Sequence, residues 1–422
     1  MPDLNKELKL KLRLFRNDRR AFYSFLILAA LFILTLPAEL ICNIRPLLIV
    51  VDGKPYFPVA LTYSEKDFGG NLPSEPDYKS HNFARLISGT ALPDTYLPSS
   101  GQIGLGLGDF EEEENQETSL SLQLDDFEDE ENILDTIKPV EPLQNSLSNS
   151  PRDFWILWPP VRFDYKYIPT ESITGNVVLA APYRTPSHGG EKLIESSWTD
   201  GHYLGTDDRG RDVLARLIYG FRISMFFGIS LAITGTLIGC LIGGTQGFFG
   251  GLIDLIGQRF TEIWGSIPRL YILIILSSFL VPSALILFLI LNLTAWMGIA
   301  AYIRAEFLKI RNFEYVKAAK SLGVSNFKIM RRHILPNALT PVITFFPFEV
   351  TAGILALVSL DFLNLGVPSP APSLGELLAQ GKNNLHALWI LLPTFLTLSL
   401  TITLLTFVGE GIRNAFDPRK TL

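Results

Sequence analysis

EYVKAAKSLGVSNFKIMRRHILPNALTP, residues 314 to 341, interrupts an otherwise apolar half of the chain. It carries five cations between Lys317 and Arg332, one glycine and two prolines. Long uncharged runs flank this segment on both sides. A basic segment between apolar runs is typical of a loop on the cytoplasmic side of a membrane.

The composition supports a membrane location for the flanking runs. Of the 422 residues 48% are hydrophobic and only 18% are charged, and the mean hydropathy is +0.27. A spanning helix needs about 20 apolar residues. The runs predict an all-α polytopic membrane bundle of six transmembrane helices, at residues 21–41, 223–247, 256–281, 285–304, 337–362 and 386–409.

Basic segments give this bundle a predicted orientation. Residues 1–20 hold seven cations, the segment around residue 320 is basic, and the tail 411–422 adds three more. Short basic segments remain in the cytoplasm, and an even number of spans puts both termini there. The first span is too long for a signal peptide and is therefore predicted to be an uncleaved anchor.

Residues 42–200 are predicted to be a large external insertion, mainly β or irregular, between the first two helices. Residues 45–93 have the pattern of short strands joined by Asp-Gly and Gly-Gly turns. Residues 98–150 are rich in acids and are predicted to be a disordered linker. Binding of Ca²⁺ or of a basic partner is the alternative, but no D-x-D-x-D-G loop is present. Residues 151–200 are aromatic and proline-rich, which predicts packing on the first part or on the membrane surface.

Residues 201–222 are predicted to be an interfacial segment, and residues 223–410 are predicted to be a five-helix core. In the former, cations alternate with apolar residues, which predicts an amphipathic helix with a solvated charged face. In the second span glycines recur at every fourth position, so that another helix can approach closely; these are Gly235, Gly239, Gly243, Gly247 and Gly251. The two cysteines, Cys42 and Cys240, imply no disulfide framework.

The opening segment, residues 312–336, is predicted to fold as helix, glycine elbow, helix. Asn312 is the predicted N-cap of the first helix, and Gly323 ends it in the left-handed conformation. Ser325 is the predicted start of the second helix, which runs to Pro336. An apolar stripe along the first helix predicts docking into a partner's groove; it comprises Phe313, Val316, Ala319 and Leu322. The chain has no G-x-x-x-x-G-K-[ST] loop, so any nucleotide chemistry must come from a partner.

The chain contains KAAKSLG at 317–323 and, after nine further residues, HILP at 333–336. This pattern resembles the cytoplasmic coupling motif of ABC importer permeases, which reads E-A-A, three residues, G, nine residues and then I-x-L-P. The matching positions are Ala318, Ala319, Gly323, Leu335 and Pro336. Lys317 stands where the family usually has Glu, and His333 where it usually has Ile.

Further stretches resemble the dipeptide and oligopeptide group of these permeases. They are HYLGTDDRGRDVLARLIYGFRIS at 202–224 and SLDFLNLGVPSPAPSLGELLAQGKNNL at 359–385. VVDGKPYFPV and the long insertion look most like the microcin C type of peptide importer permease. The resemblance implies a bacterial inner-membrane subunit that carries peptides or peptide-like solutes. The implied partners are a second permease subunit, two cytoplasmic ATPase subunits or domains, an external substrate-binding protein and membrane lipid.

The resemblance also implies which residues carry the function. The implied ATPase-coupling residues are Phe313, Glu314, Val316, Lys317, Ala318, Ala319, Leu322, Gly323 and Pro336. Glu349 is a substrate-path candidate because a charge within a span should face the bundle interior or a cavity. Asn292 and Trp296 are further candidates, and Asp361 is expected to be structural. No catalytic residue, cofactor, metal or nucleic acid is implied.

Two other functions stay open at this point. A membrane scaffold or assembly factor could act through its external domain with a degenerate coupling helix, which Lys317 in place of Glu favours. A stand-alone secondary transporter would need ionisable residues in paired spans, and only Glu349 is available.

Overall fold

A computed structural model describes residues 2–89, 152–169, 177–186, 193–194, 196–280 and 283–416. The predicted acidic linker, residues 98–150, lies outside the described residues. The chain divides into two compact units, one of residues 1–47 with 157–422 and one of residues 48–156.

Four helices in the described part of the larger unit are long and apolar enough to cross a membrane. They are α5 (Val213–Phe249), α8 (Ala284–Ile310), α11 (Leu335–Phe362), which continues a helical segment from Asn326, and α13 (Leu388–Phe416). Three of them contain the predicted spans 223–247, 285–304 and 337–362, whereas α13 begins two residues after the start of the predicted span 386–409 and extends beyond its end. At 1.5 Å per residue the shortest is about 40 Å long, which exceeds a hydrocarbon core of about 30 Å.

The first predicted span is shorter in the structure than in the sequence analysis. Basic residues of the N-terminus form α1 (Pro2–Asn17), and the apolar run forms α2 (Arg19–Thr35). Asp18 caps α2 by accepting a hydrogen bond from the amide of Ala21. Pro37 has no backbone N–H to continue the hydrogen bonds of α2. The chain then forms the single helical turn α3 (Ala38–Ile41).

The third predicted span, residues 256–281, is not one helix. The structure has α6 (Gly251–Gly265) and α7 (Arg269–Phe279), separated by a break that ends at Pro268. Proline disfavours a helical conformation at the residue before it, which explains the position of the break. None of the residues of α6, all of which are described, is buried.

Glycines bring α5 and α8 together, as the four-residue spacing predicts. A Cβ added at Gly239 would lie 2.9 Å from Cβ of Ile299, and one at Gly235 would lie 3.3 Å from Cβ of Ala295. Gly243 and Gly247 face the α8 backbone in the same way. Gly251 differs, because it is the first residue of α6 and nothing lies within 4 Å of an added Cβ.

Further along the larger unit, α9 (Glu314–Ser321) and α10 (Asn326–Ile329) follow α8, and α12 (Leu374–Asn383) lies between α11 and α13. The bundle end at which α8 finishes and α11 begins, residues 310–336, is called the basic end below. At the other end, called the opposite end, α5 and α13 begin and α11 finishes. A two-stranded ladder, β4 (Thr185–Pro186) with β5 (Leu193–Ile194), also belongs to this unit.

The smaller unit contains a three-stranded sheet in the order β2–β1–β3. Its strands are β1 (Leu48–Val51), β2 (Lys54–Tyr56) and β3 (Phe154–Leu157), and the unit also holds α4 (His81–Ser88). Strands β1 and β2 pair in antiparallel register around Asp52 and Gly53, both with positive φ. This hairpin confirms the predicted Asp-Gly turn, since that dipeptide suits a tight hairpin with two left-handed residues.

Candidate functional site

The basic end carries the predicted helix, elbow, helix. Helix α9 begins after Phe313, not after the predicted cap Asn312, whose side-chain amide instead donates to the carbonyl of Leu308. Gly323 has φ +75°, and the amide of Val324 returns to the carbonyl of Ala319. This 6→1 hydrogen bond is the Schellman closure that a left-handed glycine permits.

The predicted apolar stripe of α9 is divided between two environments. Val316 and Ala319 are 3% and 8% exposed and join a cluster with α8 and α11 residues. Phe313 and Leu322 are 43% and 83% exposed. The inner half of the stripe therefore packs on the chain's own helices, and only its edges are available to another protein.

An exposed surface that sequence reasoning missed continues from Leu322 onto α10. Phe327 is 72% exposed, while Ile329, two residues further along α10, is fully buried. Single exposed leucines are ordinary, but neighbouring large apolar residues on a short basic segment indicate an interaction site. The sequence signal was present in NFKI, where Phe327 and Ile329 lie too close in sequence to share one helical face.

Charged side chains surround this exposed surface. Lys317 Nζ lies 3.2 Å from Glu314 Oε1, and both side chains are exposed. Lys320, Arg331 and Arg332 are exposed as well. Lys317 therefore forms an exposed ion pair with Glu314 in the first turn of α9. It takes no part in the packing of α9 on the bundle.

Pro336 marks the entry to α11. A five-residue π-turn, Met330–Ile334, precedes it, and the amide of Leu335 donates to the carbonyl of Met330, five residues back. Pro336 has no amide to offer to the carbonyl of Arg332 four residues back. This widened turn joins α10 to α11 without a break, so the helix after the elbow runs continuously from Asn326 to Phe362.

The three substrate-path candidates make different contacts. Asn292 accepts a hydrogen bond from Thr234 Oγ1 at 2.6 Å and donates to the carbonyl of Phe288, so it joins α5 to α8. Trp296 is buried and donates to the carbonyl of Leu293. Half-buried Glu349 on α11 faces Gly298, where an added Cβ would lie 4.0 Å from its Oε1.

At the opposite end the structure contradicts the predicted interfacial helix of residues 201–222. Helix α5 begins at Val213 and continues through the bundle. Four charged side chains before and within its first turn are buried, not solvated: Asp207, Arg211, Asp212 and Arg216. Asp208 and Arg209 are exposed. The prediction failed because the acid that compensates the buried arginines, Glu376, lies 160 residues away from Arg216.

Three of these charges and Glu376, whose side chain is 15% exposed, form one network, called here the ion quartet: Asp207, Arg211, Arg216 and Glu376. Asp212 pairs with His202 instead. Arg211 donates to Asp207 Oδ2 at 2.8 Å and to Glu376 Oε1 at 3.1 Å. Arg216 donates to Glu376 Oε2 and to the carbonyl of Ala371. Buried charges are tolerated when they are paired and hydrogen-bonded, and here the pairs fasten α12 to the start of α5.

Asp361, at the end of α11, extends this packing and is structural, as expected. Its carboxylate accepts from Ser373 Oγ at 2.5 Å and from the amide of Val367 at 2.9 Å. Ser373 in turn caps α12 by accepting from the amides of Gly375 and Glu376. The sequence held a usable signal, since Glu376 is the single acid between Asp361 and Glu410.

The chain resembles known proteins, some over its second half and others along nearly its whole length. Residues 235–422 match the family model described as the inner membrane component of binding-protein-dependent transport systems. The chain is 39% identical over 418 residues to the peptidoglycan transport system permease protein YejE of Agrobacterium fabrum, covering 96% of this chain and 92% of that one.

Other relatives differ in how much of the chain they share. The inner membrane ABC transporter permease protein YejE of Escherichia coli is 38% identical, with 97% of this chain and 96% of that one covered. The dipeptide transport system permease protein DppC of Bacillus subtilis is 37% identical over 52% of this chain and 69% of its own length. Among solved structures, an inward-facing form of the MetNI methionine ABC transporter aligns with TM-score 0.41 and 17% identity, over 47% of this chain and 96% of that one.

Proposed function

Since the chain belongs to the family of inner membrane components of binding-protein-dependent transport systems, we propose that this ABC permease subunit imports peptides or peptide-like solutes. The names of its relatives, which include peptidoglycan and dipeptide permeases, support this class of cargo. The scaffold alternative rested on a degenerate coupling helix. An intact α9, elbow and π-turn count against it.

The proposed topology has six spans with both termini in the cytoplasm. Helix α2 is the first span and the broken pair α6 and α7 is the third. Residues 42–200 are then external, and the basic end is cytoplasmic. Support comes from the contact of Ala21 with Gly411, which brings the first helix alongside the end of α13 and groups both with the basic residues of α1.

The proposed partners are two cytoplasmic ATPase subunits or domains, a second permease and an external substrate-binding protein. The observation that carries this proposal is the division of α9: Val316 and Ala319 hold it to the bundle, while Leu322 and Phe327 remain exposed. An ATPase that holds the exposed surface must move α9 and α10 together with α11. ATP hydrolysis belongs to the partner, and this chain supplies a bundle with two packings that the partner biases.

The coupling residues have different roles in this proposal. Leu322, Phe327 and Phe313 would contact the ATPase, whereas Val316, Ala319 and Gly323 would position α9. Glu349 is the substrate-path residue with support from the structure, because its carboxylate lies beside the one α8 position without a side chain, Gly298. Asn292 and Trp296 are proposed to act through packing.

The test uses the full chain copurified with its ATPases and second permease and reconstituted in proteoliposomes. We expect loaded binding protein to stimulate ATP hydrolysis in the unaltered complex. The double change Leu322→Asp with Phe327→Asp should abolish both ATPase capture and stimulation, because charge on the exposed apolar residues opposes docking. Bundle stability should not change, since neither side chain is buried.

Leu385→Asp is the matched control, because Leu385 is also exposed but lies at the opposite end, before α13. It should retain ATPase capture. If the double variant still captures the ATPases, or if uptake continues without any ATPase, the proposed coupling is wrong.

A further inference from the structure

An apolar cavity of about 720 Å³ lies between the N-terminal helices and the bundle. Its walls come from five helices: α1, α2, α5, α11 and α13. Representative wall residues are Ala29, Met225, Val350 and Leu405. The last three are buried, whereas Leu12, which also lines the cavity, is 59% exposed, so the cavity reaches from the packed interior to the protein surface.

Cations occupy one end of this cavity. Lys11 and Arg16 of α1 line it together with Phe416, and Lys11 Nζ lies 4.7 Å from the centre of the Phe416 ring. The remaining lining side chains are apolar. The cavity therefore has one cationic end and is lined by hydrocarbon elsewhere.

The length of the cavity matches one leaflet of a bilayer. Along α2 the lining runs from Phe22 to Phe32, which is about 15 Å at 1.5 Å per residue. Half of a hydrocarbon core of about 30 Å has the same length. Beyond that point Phe32 packs edge to face on Phe226, with ring centroids 5.1 Å apart.

We propose that this cavity binds an anionic diacyl phospholipid. Its phosphate contacts Lys11 and Arg16, and its acyl chains lie along α2, α11 and α13. Acyl chains gain about 0.8 kcal/mol for each methylene buried, so an apolar slot of this length favours a lipid over a soluble anion. A phosphate gains from the two cations that line the cavity, because basic groups beside a membrane attract anionic headgroups. The bound lipid fills the space between α2 and the bundle and so joins the N-terminal helices to the core.

The test is native mass spectrometry of the full chain in detergent, titrated with dioleoylphosphatidylglycerol and, separately, with dioleoylphosphatidylcholine. We expect one phosphatidylglycerol to be retained in preference to phosphatidylcholine. Lys11→Gln with Arg16→Gln should weaken phosphatidylglycerol retention by about tenfold, since both headgroup contacts are lost.

Lys9→Gln with Arg13→Gln is the matched control, because it removes two exposed cations from the same helix that do not line the cavity. This control should retain phosphatidylglycerol like the unaltered chain. Ala29→Trp and, from the other wall, Ile412→Trp should each reduce retention of both lipids, because the indole fills the slot.

Equal retention of the two lipids, or equal losses in the two double variants, would overturn the proposal. Glycerol phosphate has the charge of the lipid but no acyl chains. If it competes with phosphatidylglycerol, the cavity binds anions in general, and the lipid proposal is overturned. Loss of the lipid upon copurification with the second permease would show that a protein helix, not a lipid, covers this cavity. None of these readouts depends on transport.

Discussion

Arg216, in the first turn of α5, forms a buried ion pair with Glu376, in the first turn of α12, across 160 residues of sequence. Glu376 also binds Arg211, and both arginines face Asp207. Two cations and two acids make the quartet neutral. The loss of any one member leaves an uncompensated charge in the interior, which is more costly than the loss of a favourable contact.

Glu376→Gln should therefore lower the free energy of unfolding of the bundle by about 3–5 kcal/mol, which is the usual cost of removing one partner of a buried ion pair. The amide is close in size to the carboxylate, so the effect reports charge and not a cavity. Thermal unfolding of the purified chain in detergent measures it.

The control for this change is Glu39→Gln. Glu39 also pairs with an arginine of α5, Arg222, at 2.9 Å, but its side chain is 52% exposed. An exposed pair contributes about 1 kcal/mol or less. Equal losses for the two variants would contradict the assignment of the quartet as a buried network.

The periodic spacing of residues predicted the contact between α5 and α8. The ion pairs between residues far apart in sequence were not predicted. The glycines of α5 repeat at helical spacing, and that spacing alone predicts the face that meets α8. The quartet could not be found in this way, because Arg211 and Arg216 resemble the charged face of an interfacial helix until Glu376 is placed beside them. Tertiary proximity decides whether such a charge is solvated or buried.

Close packing of α5 on α8 makes Gly239 intolerant of any side chain. A methyl there would lie 2.9 Å from both Cβ of Ile299 and the carbonyl of Trp296. Gly239→Ala should therefore lower stability by about 1–3 kcal/mol, the usual cost of overpacking, measured by thermal unfolding in detergent.

Gly298→Ala is the matched control, since it makes the same change inside α8. There the methyl meets nothing closer than Glu349 Oε1 at 4.0 Å. Replacing a mid-helix glycine with alanine otherwise favours the helix by about 1 kcal/mol. We expect Gly298→Ala to be neutral or stabilising, and a loss as large as that of Gly239→Ala would show that steric packing is not the cause.

Cys42 should be chemically inert in the folded chain. Burial raises the pKa of its thiol to about 12, and nearby Asp212 adds to the effect. At pH 8 only about one thiol in ten thousand is then a thiolate, which is the reactive form. In a Cys240→Ser background, maleimide should fail to label Cys42 until the chain is denatured in SDS. Rapid labelling of the native chain would contradict the burial of Cys42 beside α5.

The basic end shows a second limit of sequence reasoning. A stripe with three-residue spacing predicts one docking face, but the helix of eight residues must also attach to its own bundle. Val316 and Ala319 serve that attachment, so only the edges of the stripe remain exposed. The break at Pro268 shows the same kind of limit, because the apolar character of a segment does not reveal whether it forms one helix or two.

Gly323 should be required for its backbone conformation and not for its small size. Its φ is +75°, yet nothing lies within 4 Å of an added Cβ. Asparagine tolerates the left-handed region, whereas other residues pay about 1–2 kcal/mol there and β-branched ones more. Gly323→Asn should therefore retain most of the ATP hydrolysis stimulated by binding protein in proteoliposomes, and Gly323→Val should lose most of it. Equal losses in the two variants would instead indicate that a partner contacts Gly323 directly.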